Sequence, residues 1–307
     1  MTRPTRRLWL VPVVLLASAL TSCDSAGPSG AGPAVGAPAN AAVDGLSARF
    51  GGFSQGERFR KSNAEDAFGP DVEWTNSNDD PAGGPRLQVY DGHLRFRIPT
   101  GKYGNDTGGK MRAPLRPRSG YYLQYRLRFD SGFDFSAVNG KNGGKLPGLA
   151  GGEGNTGNDP GTDGDGWSAR MMWRGDKTSD TGSARLYAYL YHKDQEHDYG
   201  DYIDTGVDVR AGNWYTVRIY TGVNTDDNKD GRLKVWIKED SERPTFGSSV
   251  VSRSNMRWMD HDHEVSEALV QVFAGGGDLS WALGTTSYVR LDDIFTCHTA
   301  AECDGLL

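Results

Sequence analysis

Apolar and polar positions alternate with a period of two along most of this chain, the pattern of strands that bury one face. Leu87 to Tyr90 and His93 to Arg97 flank Asp91-Gly92, a pair suited to a two-residue hairpin turn. Tyr121, Leu123, Tyr125, Leu127 and Phe129 alternate with Gln124, Arg126 and Arg128. The same rhythm returns at Trp214–Tyr220, Leu233–Lys238, Leu269–Phe273 and Tyr288–Phe295, and no helix-period segment of useful length competes with it. Together with 42 glycines and turn-rich links, these segments predict an all-β fold. The expected architecture is a two-sheet β-sandwich of jelly-roll type whose concave face can hold a polymer. No internal repeat is present.

The alternation also sorts side chains with chemistry onto one face. Leu186, Ala188 and Leu190 point one way, so Tyr187, Tyr189 and Tyr191 stand together on the other. In the preceding strand Ala169 and Met171 turn inward while Ser168 and Arg170 turn outward. A glycine-rich stretch upstream, Gly143 to Leu149, carries Lys145. A lysine, an arginine and several phenols on one sheet face can bind a carboxylate, stabilise an enolate and move protons.

The N-terminus sets the compartment. Arg3, Arg6 and Arg7 precede an apolar run from Leu8 to Leu20, followed by Thr21-Ser22-Cys23, which reads as a secretory signal ending in a lipobox-like site. That run is too short to span a bilayer. Residues 1–22 are therefore expected to be a lipoprotein signal peptide, with Cys23 lipidated. Residues 23–42, rich in Gly, Pro, Ala and Ser, read as a flexible tether unable to bury a core. Residues 43–307 form a single folded domain. The protein is expected to be exported, either held to a membrane by its lipid alone or secreted, and to be a monomer. In that setting Cys297 and Cys303 read as a small terminal disulfide.

The formal charge is −6, and loss of the three leader arginines leaves −9. An acidic balance argues against nucleic acid as partner. Lys145, Arg170 and Arg174 nevertheless gather positive charge locally, so an anionic substrate fits the site. Two other runs carry metal-ligating side chains. His261-Asp262-His263-Glu264 is consecutive, so its side chains diverge. Asp226-Asp227-Asn228-Lys229-Asp230-Gly231 has the oxygen-rich look of a calcium loop but lacks the late glutamate of an EF-hand. No metal or other cofactor is expected, with calcium at that loop as the minor alternative.

Five segments in order carry a family resemblance: Gly143 to Gly152, Trp167 to Arg174, Tyr187 to Gln195, Asp230 to Trp236, and Phe273 to Asp278 followed by Ser280-Trp281-Ala282. Together they resemble the family-14 polysaccharide lyases and the related glucuronan lyases. The resemblance implies a concanavalin A-like jelly roll that cleaves 1,4-linked uronate polymers, alginate or glucuronan, by β-elimination. It places the family's lysine on Lys145, its Ser-x-Arg pair on Ser168 and Arg170, and its Tyr-x-Tyr pair on Tyr189 and Tyr191, although Tyr187 and Tyr189 fit the same spacing. Ala150 and Lys193 depart from the family pattern, which bears on substrate choice more than on chemistry.

The chemistry sets its own demands. Removing the C5 proton beside a carboxylate needs a cation on that carboxylate, a base at C5 and an acid at the leaving O4. Arg170 suits the first role because its fork grips both oxygens and stays charged. Lys145 can be the base if Arg170 and desolvation lower its pKa, with a tyrosine as acid, or a tyrosinate can do both. Tyr187 and Arg174 are expected to bind substrate, and Ser168, which has no Gly-x-Ser-x-Gly elbow around it, to hydrogen-bond substrate or backbone rather than act as a nucleophile. Two rivals stay open on the same fold: a glycoside hydrolase, which needs two carboxylates flanking the bond, and a non-catalytic carbohydrate-binding module.

Overall fold

The computed structural model describes residues 44–75, 83–136, 139–157, 159–175, 182–242, 245–260 and 264–306. The expected signal peptide, tether and Cys23 lie outside them, as do His261, Asp262 and His263.

Fifteen strands run through the described residues. The first six are β1 (Ser47–Ala48), β2 (Glu73–Thr75), β3 (Leu87–Tyr90), β4 (His93–Ile98), β5 (Gly109–Arg118) and β6 (Gly120–Phe129). The next five are β7 (Gly143–Gly152), β8 (Gly166–Gly175), β9 (Ser183–Tyr191), β10 (Asp201–Arg210) and β11 (Trp214–Gly222). The last four are β12 (Gly231–Glu239), β13 (Val251–Met256), β14 (Val265–Ala274) and β15 (Ser287–Cys297). One sheet has eight strands, in the order β13-β12-β11-β6-β15-β4-β3 with β1 also paired to β15. The other has seven, in the order β10-β9-β8-β7-β14-β5-β2. Every pairing is antiparallel, and the two sheets close over one core as a jelly-roll sandwich.

The predicted strands are all present. The β3-β4 hairpin turns through Asp91 (φ 55°) and Gly92 (φ 75°), the two left-handed positions that a type I′ turn requires. All five apolar positions of β6 from Tyr121 to Phe129 are fully buried. In β8 and β9, Ala169, Met171, Leu186, Ala188 and Leu190 enter the core as the alternation demands.

The central strand β7 departs from regularity where it matters. Its register shifts against both neighbours between Lys145 and Gly148. A bulge there accommodates Pro147, which has no N–H to give a ladder. It also resets the period, so Leu146 and Leu149 both enter the core while Lys145 faces outward.

Two short helices interrupt the expected all-strand reading. Helix α1 (Lys61–Phe68) buries only Ala64 and Phe68, a single i,i+4 pair that is too little for a helical period to show. Phe68 joins Phe50 and Phe59 in an aromatic cluster. Helix α2 (Ala300–Asp304) begins at Thr299, whose hydroxyl accepts from the Glu302 N–H. The Cys297–Cys303 disulfide fastens it to the end of β15.

Candidate active site

The outward face of the seven-stranded sheet floors a cleft of about 1920 Å³. Among the described residues it is lined by eight basic side chains against five acidic ones, so it is locally positive in an acidic protein. Strand register decides which side chains meet there. Gly148 on β7 lies opposite Arg170 on β8, Arg170 opposite Tyr189 on β9, and Tyr189 opposite Tyr202 on β10. Lys145 lies opposite Met172 on one side and Phe273 on the other.

Gly148 makes room for the arginine. A Cβ there would fall 2.7 Å from Arg170 Cγ and 2.1 Å from the Ala169 carbonyl oxygen. Arg170 lies over this gap and is only 2% exposed. Its Nη1 donates to Gln271 Oε1 at 3.4 Å, and its Nε has no partner. Among the described residues no carboxylate pairs with it. A buried guanidinium without a counter-charge is a standing demand for an anion, and the rings of Tyr189 and Tyr191 lie further off, at 5.5 and 5.7 Å.

Lys145 is 8% exposed. Its Nζ sits 3.5 Å from the Tyr189 ring centre and donates to Met172 Sδ at 3.3 Å. Burial pushes its pKa well below the ordinary lysine value, and the charges of Arg170, Arg174 and Lys110 push the same way. A neutral amine has a lone pair with which to take a proton. Lys110, also in the cleft, is pushed down to about 8 by burial and then by Arg170 and Arg86.

The two tyrosines form a directed chain. Tyr191 donates its hydroxyl proton to the Gly157 carbonyl at 2.8 Å. The 3.2 Å contact between the two hydroxyls therefore runs from Tyr189 as donor to Tyr191 as acceptor. Burial first, then Tyr191, pushes the Tyr189 pKa up, so it holds its proton as an acid must.

Lys145, Arg170, Tyr189 and Tyr191 thus meet in one cleft. The three candidate substrate binders are set back from it. The Ser168 hydroxyl is fully buried and donates to the Asn155 carbonyl at 2.7 Å, which ties down the loop after β7. Tyr187 is two residues along β9 from Tyr189 and packs edge-on against Tyr202. Arg174 stacks 5.5 Å from the Tyr202 ring, and its charge reaches Lys145 without lining the cleft. In the calcium-like loop, Asp227 pairs with Arg257 and Asp230 accepts from the Thr225 N–H. Among the described residues no group of three or more metal-ligating side chains gathers.

Sequence reasoning missed Gln271, Met172, Lys110 and Tyr202. Gln271 carried a signal, as a polar residue amid the apolar Leu269–Phe273 run. Tyr202 carried none, because β10 pairs with β9 through a register that only the fold supplies.

Comparison with known proteins gives the arrangement a context. The polysaccharide lyase 14 family profile matches residues 94–294. Among solved structures, the alginate lyase Aly36B superposes with a TM-score of 0.69 at 29% identity, covering 83% of this chain and 97% of that one. Variants of that lyase have been captured with an alginate tetrasaccharide and a trisaccharide. A marine alginate lyase of the same family from Aplysia kurodai shares the fold, with a TM-score of 0.61 at 19% identity over 83% of this chain and 98% of that one. No curated protein sequence matches the chain. The β-elimination chemistry available to a buried amine, an unpaired guanidinium and a protonated phenol agrees with these matches: the chain belongs to the polysaccharide lyase 14 family and is a lyase of uronate polysaccharides.

Proposed function

We propose that the enzyme cleaves alginate with Lys145 as base, Arg170 as carboxylate clamp and Tyr189 as acid. The observation that carries this reading is the position of Lys145 Nζ, buried against Tyr189 and Met172 beside an arginine with no counter-charge. Arg170 grips both oxygens of the C6 carboxylate and holds the charge that develops when C5 loses its proton. Lys145 takes that proton. The C5–H electrons form the C4–C5 double bond, the C4–O4 bond breaks, and Tyr189 gives its proton to O4 in place of Tyr191. The products are an unsaturated uronate at one new end and a free hydroxyl at the other.

The raised Tyr189 pKa favours this division of labour over a tyrosinate acting as both base and acid. Alginate is favoured because Aly36B, at 29% identity, is an alginate lyase. Its oligosaccharide-bound variants replace a lysine together with a tyrosine or a methionine, and Lys145 here touches one residue of each type. These side chains supply base, clamp and acid among themselves, which supports a cofactor-independent reaction. The leader and Cys23 support export and a lipid anchor.

The test is incubation with alginate, glucuronan and a neutral β-glucan. Ultraviolet absorbance of unsaturated uronate should rise with alginate in step with new reducing ends. New ends without that absorbance would mean hydrolysis and overturn the proposal.

A further inference from the structure

The segment from Asp230 to Trp236, one of the five that mark the sequence, takes no part in the cleft. It opens β12 on the eight-stranded sheet, where Leu233 and Val235 enter the core and Arg232, Lys234 and Trp236 face outward. Tyr220 on β11 lies opposite Lys234, and Tyr122 on β6 lies opposite Tyr220.

Tyr220 is laid down on the sheet. Gly120 and Gly222 are directly opposite each other. A Cβ on Gly222 would come 2.9 Å from Tyr220 Oη, and one on Gly120 would come 3.2 Å from it. Gly120 opens β6 and Gly222 ends β11, and their lack of side chains leaves space for the phenol.

Tyr122 sits 4.6 Å from Tyr220 at an interplanar angle of 37°, and 6.2 Å from Trp236 at 32°. The three outer rings are all part-exposed, with Tyr122 leaning on Tyr220 and packed on the Cys297–Cys303 cluster, and the ring surface left open can stack the C–H faces of sugars.

Charge identifies which sugars. Arg232 and Lys234 are exposed, and neither forms an ion pair among the described residues. Asp230, the acidic side chain that feels Arg232, spends both its carboxylate oxygens on Thr225. Arg218 on β11, opposite Trp236, is already taken by Gln124 and Asp304 and stacks on Phe246.

We infer that Tyr220, Tyr122 and Trp236 with Arg232 and Lys234 form a second binding site for the uronate polymer, on the sheet opposite the cleft. The choice of alginate as its ligand rests on the proposed substrate. Such a site holds the enzyme on a long chain between cuts and is out of reach of a short oligomer occupying the cleft.

Electrophoresis through gels containing alginate tests this, using a Lys145→Ala/Arg170→Ala parent so that nothing is cut and the cleft grip is weakened. Adding Arg232→Gln and Lys234→Gln should weaken retention about tenfold, the effect of losing two exposed ion pairs. Adding Tyr220→Ala, with folding confirmed by circular dichroism, should weaken it similarly. With Lys145 and Arg170 intact, the two glutamine substitutions should leave turnover of an alginate tetrasaccharide unchanged. Undiminished retention overturns the inference, as does equal retention in a neutral β-glucan gel. A change confined to oligomeric state would also overturn it and mark the face as a contact between copies. If the wild-type enzyme cuts alginate while the patch variants are retained like the parent, only this inference fails. If alginate is bound through the patch but never cut, the proposed substrate fails and the patch stands.

Discussion

Lys145 Nζ lies 3.5 Å from the ring centre of Tyr189, the residue that faces Arg170 across the β8-β9 ladder. One phenol thus contacts the amine and faces the clamp, and its hydroxyl is bonded onward to Tyr191. Base, carboxylate clamp and acid share a single small volume.

Replacing the clamp separates charge from geometry. Arg170→Lys keeps the positive charge but loses the bidentate fork. Turnover of alginate should fall about a hundredfold or more, the usual effect of removing ~3 kcal/mol of oxyanion stabilisation. Steady-state kinetics check this, and an effect below tenfold would show that the arginine acts only as a point charge.

The two hydroxyls should behave differently. Tyr189→Phe removes the donated proton and should abolish most turnover, about a hundredfold within the range typical of general acids. Tyr191→Phe removes an acceptor and the bond to Gly157 and should cost about tenfold, since it loses positioning rather than the proton itself. Comparing the kcat of the two variants decides the assignment, and the reverse order would transfer the acid role to Tyr191.

The activity of the enzyme should fall on the acid side as Lys145 takes up a proton. Arg174 lowers the Lys145 pKa from outside the cleft. Arg174→Gln removes a like charge, so the lysine becomes easier to protonate and its pKa rises. A higher pH is then needed to keep it neutral. The acid limb of kcat/KM should move to higher pH with the plateau retained, and a limb that stays put would mean another group sets it.

Burying a neutral lysine costs stability. Its folded pKa is depressed, so below the unfolded value of about 10.4 the unfolded chain binds a proton that the native state does not. Stability is lost as pH falls through that window, down to the lowered folded value. Lys145→Met, which carries no proton, should be about 1 kcal/mol more stable at neutral pH, with the gain shrinking as pH approaches the unfolded value. Denaturant titrations at two pH values measure it, and a less stable variant at neutral pH would contradict the burial argument.

Period-two alternation made much of this site legible, because Arg170, Tyr189 and Tyr191 needed only to share a face. It could not choose between Tyr187 and Tyr189, since both lie on that face and only the ladder places Tyr189 opposite Arg170. Nor could it place Lys145, because the bulge at Pro147 breaks the period in the strand that carries it. Gln271 reaches Arg170 from β14, about a hundred residues further along the chain, and no local pattern encodes that neighbour. Ser168 shares the face of Arg170, and of the two roles its pattern allowed, a bond to substrate or to backbone, its hydroxyl makes the second, to the Asn155 carbonyl.

The central claim is that Lys145 removes the proton, and Lys145→Ala tests it most directly when cleavage and binding are measured on the same preparation. A base acts mainly in the transition state, so alginate affinity should stay within about threefold of wild type while kcat falls a thousandfold or so. Turnover near the wild-type value, with alginate still bound, would contradict the account and move the base elsewhere in the cleft.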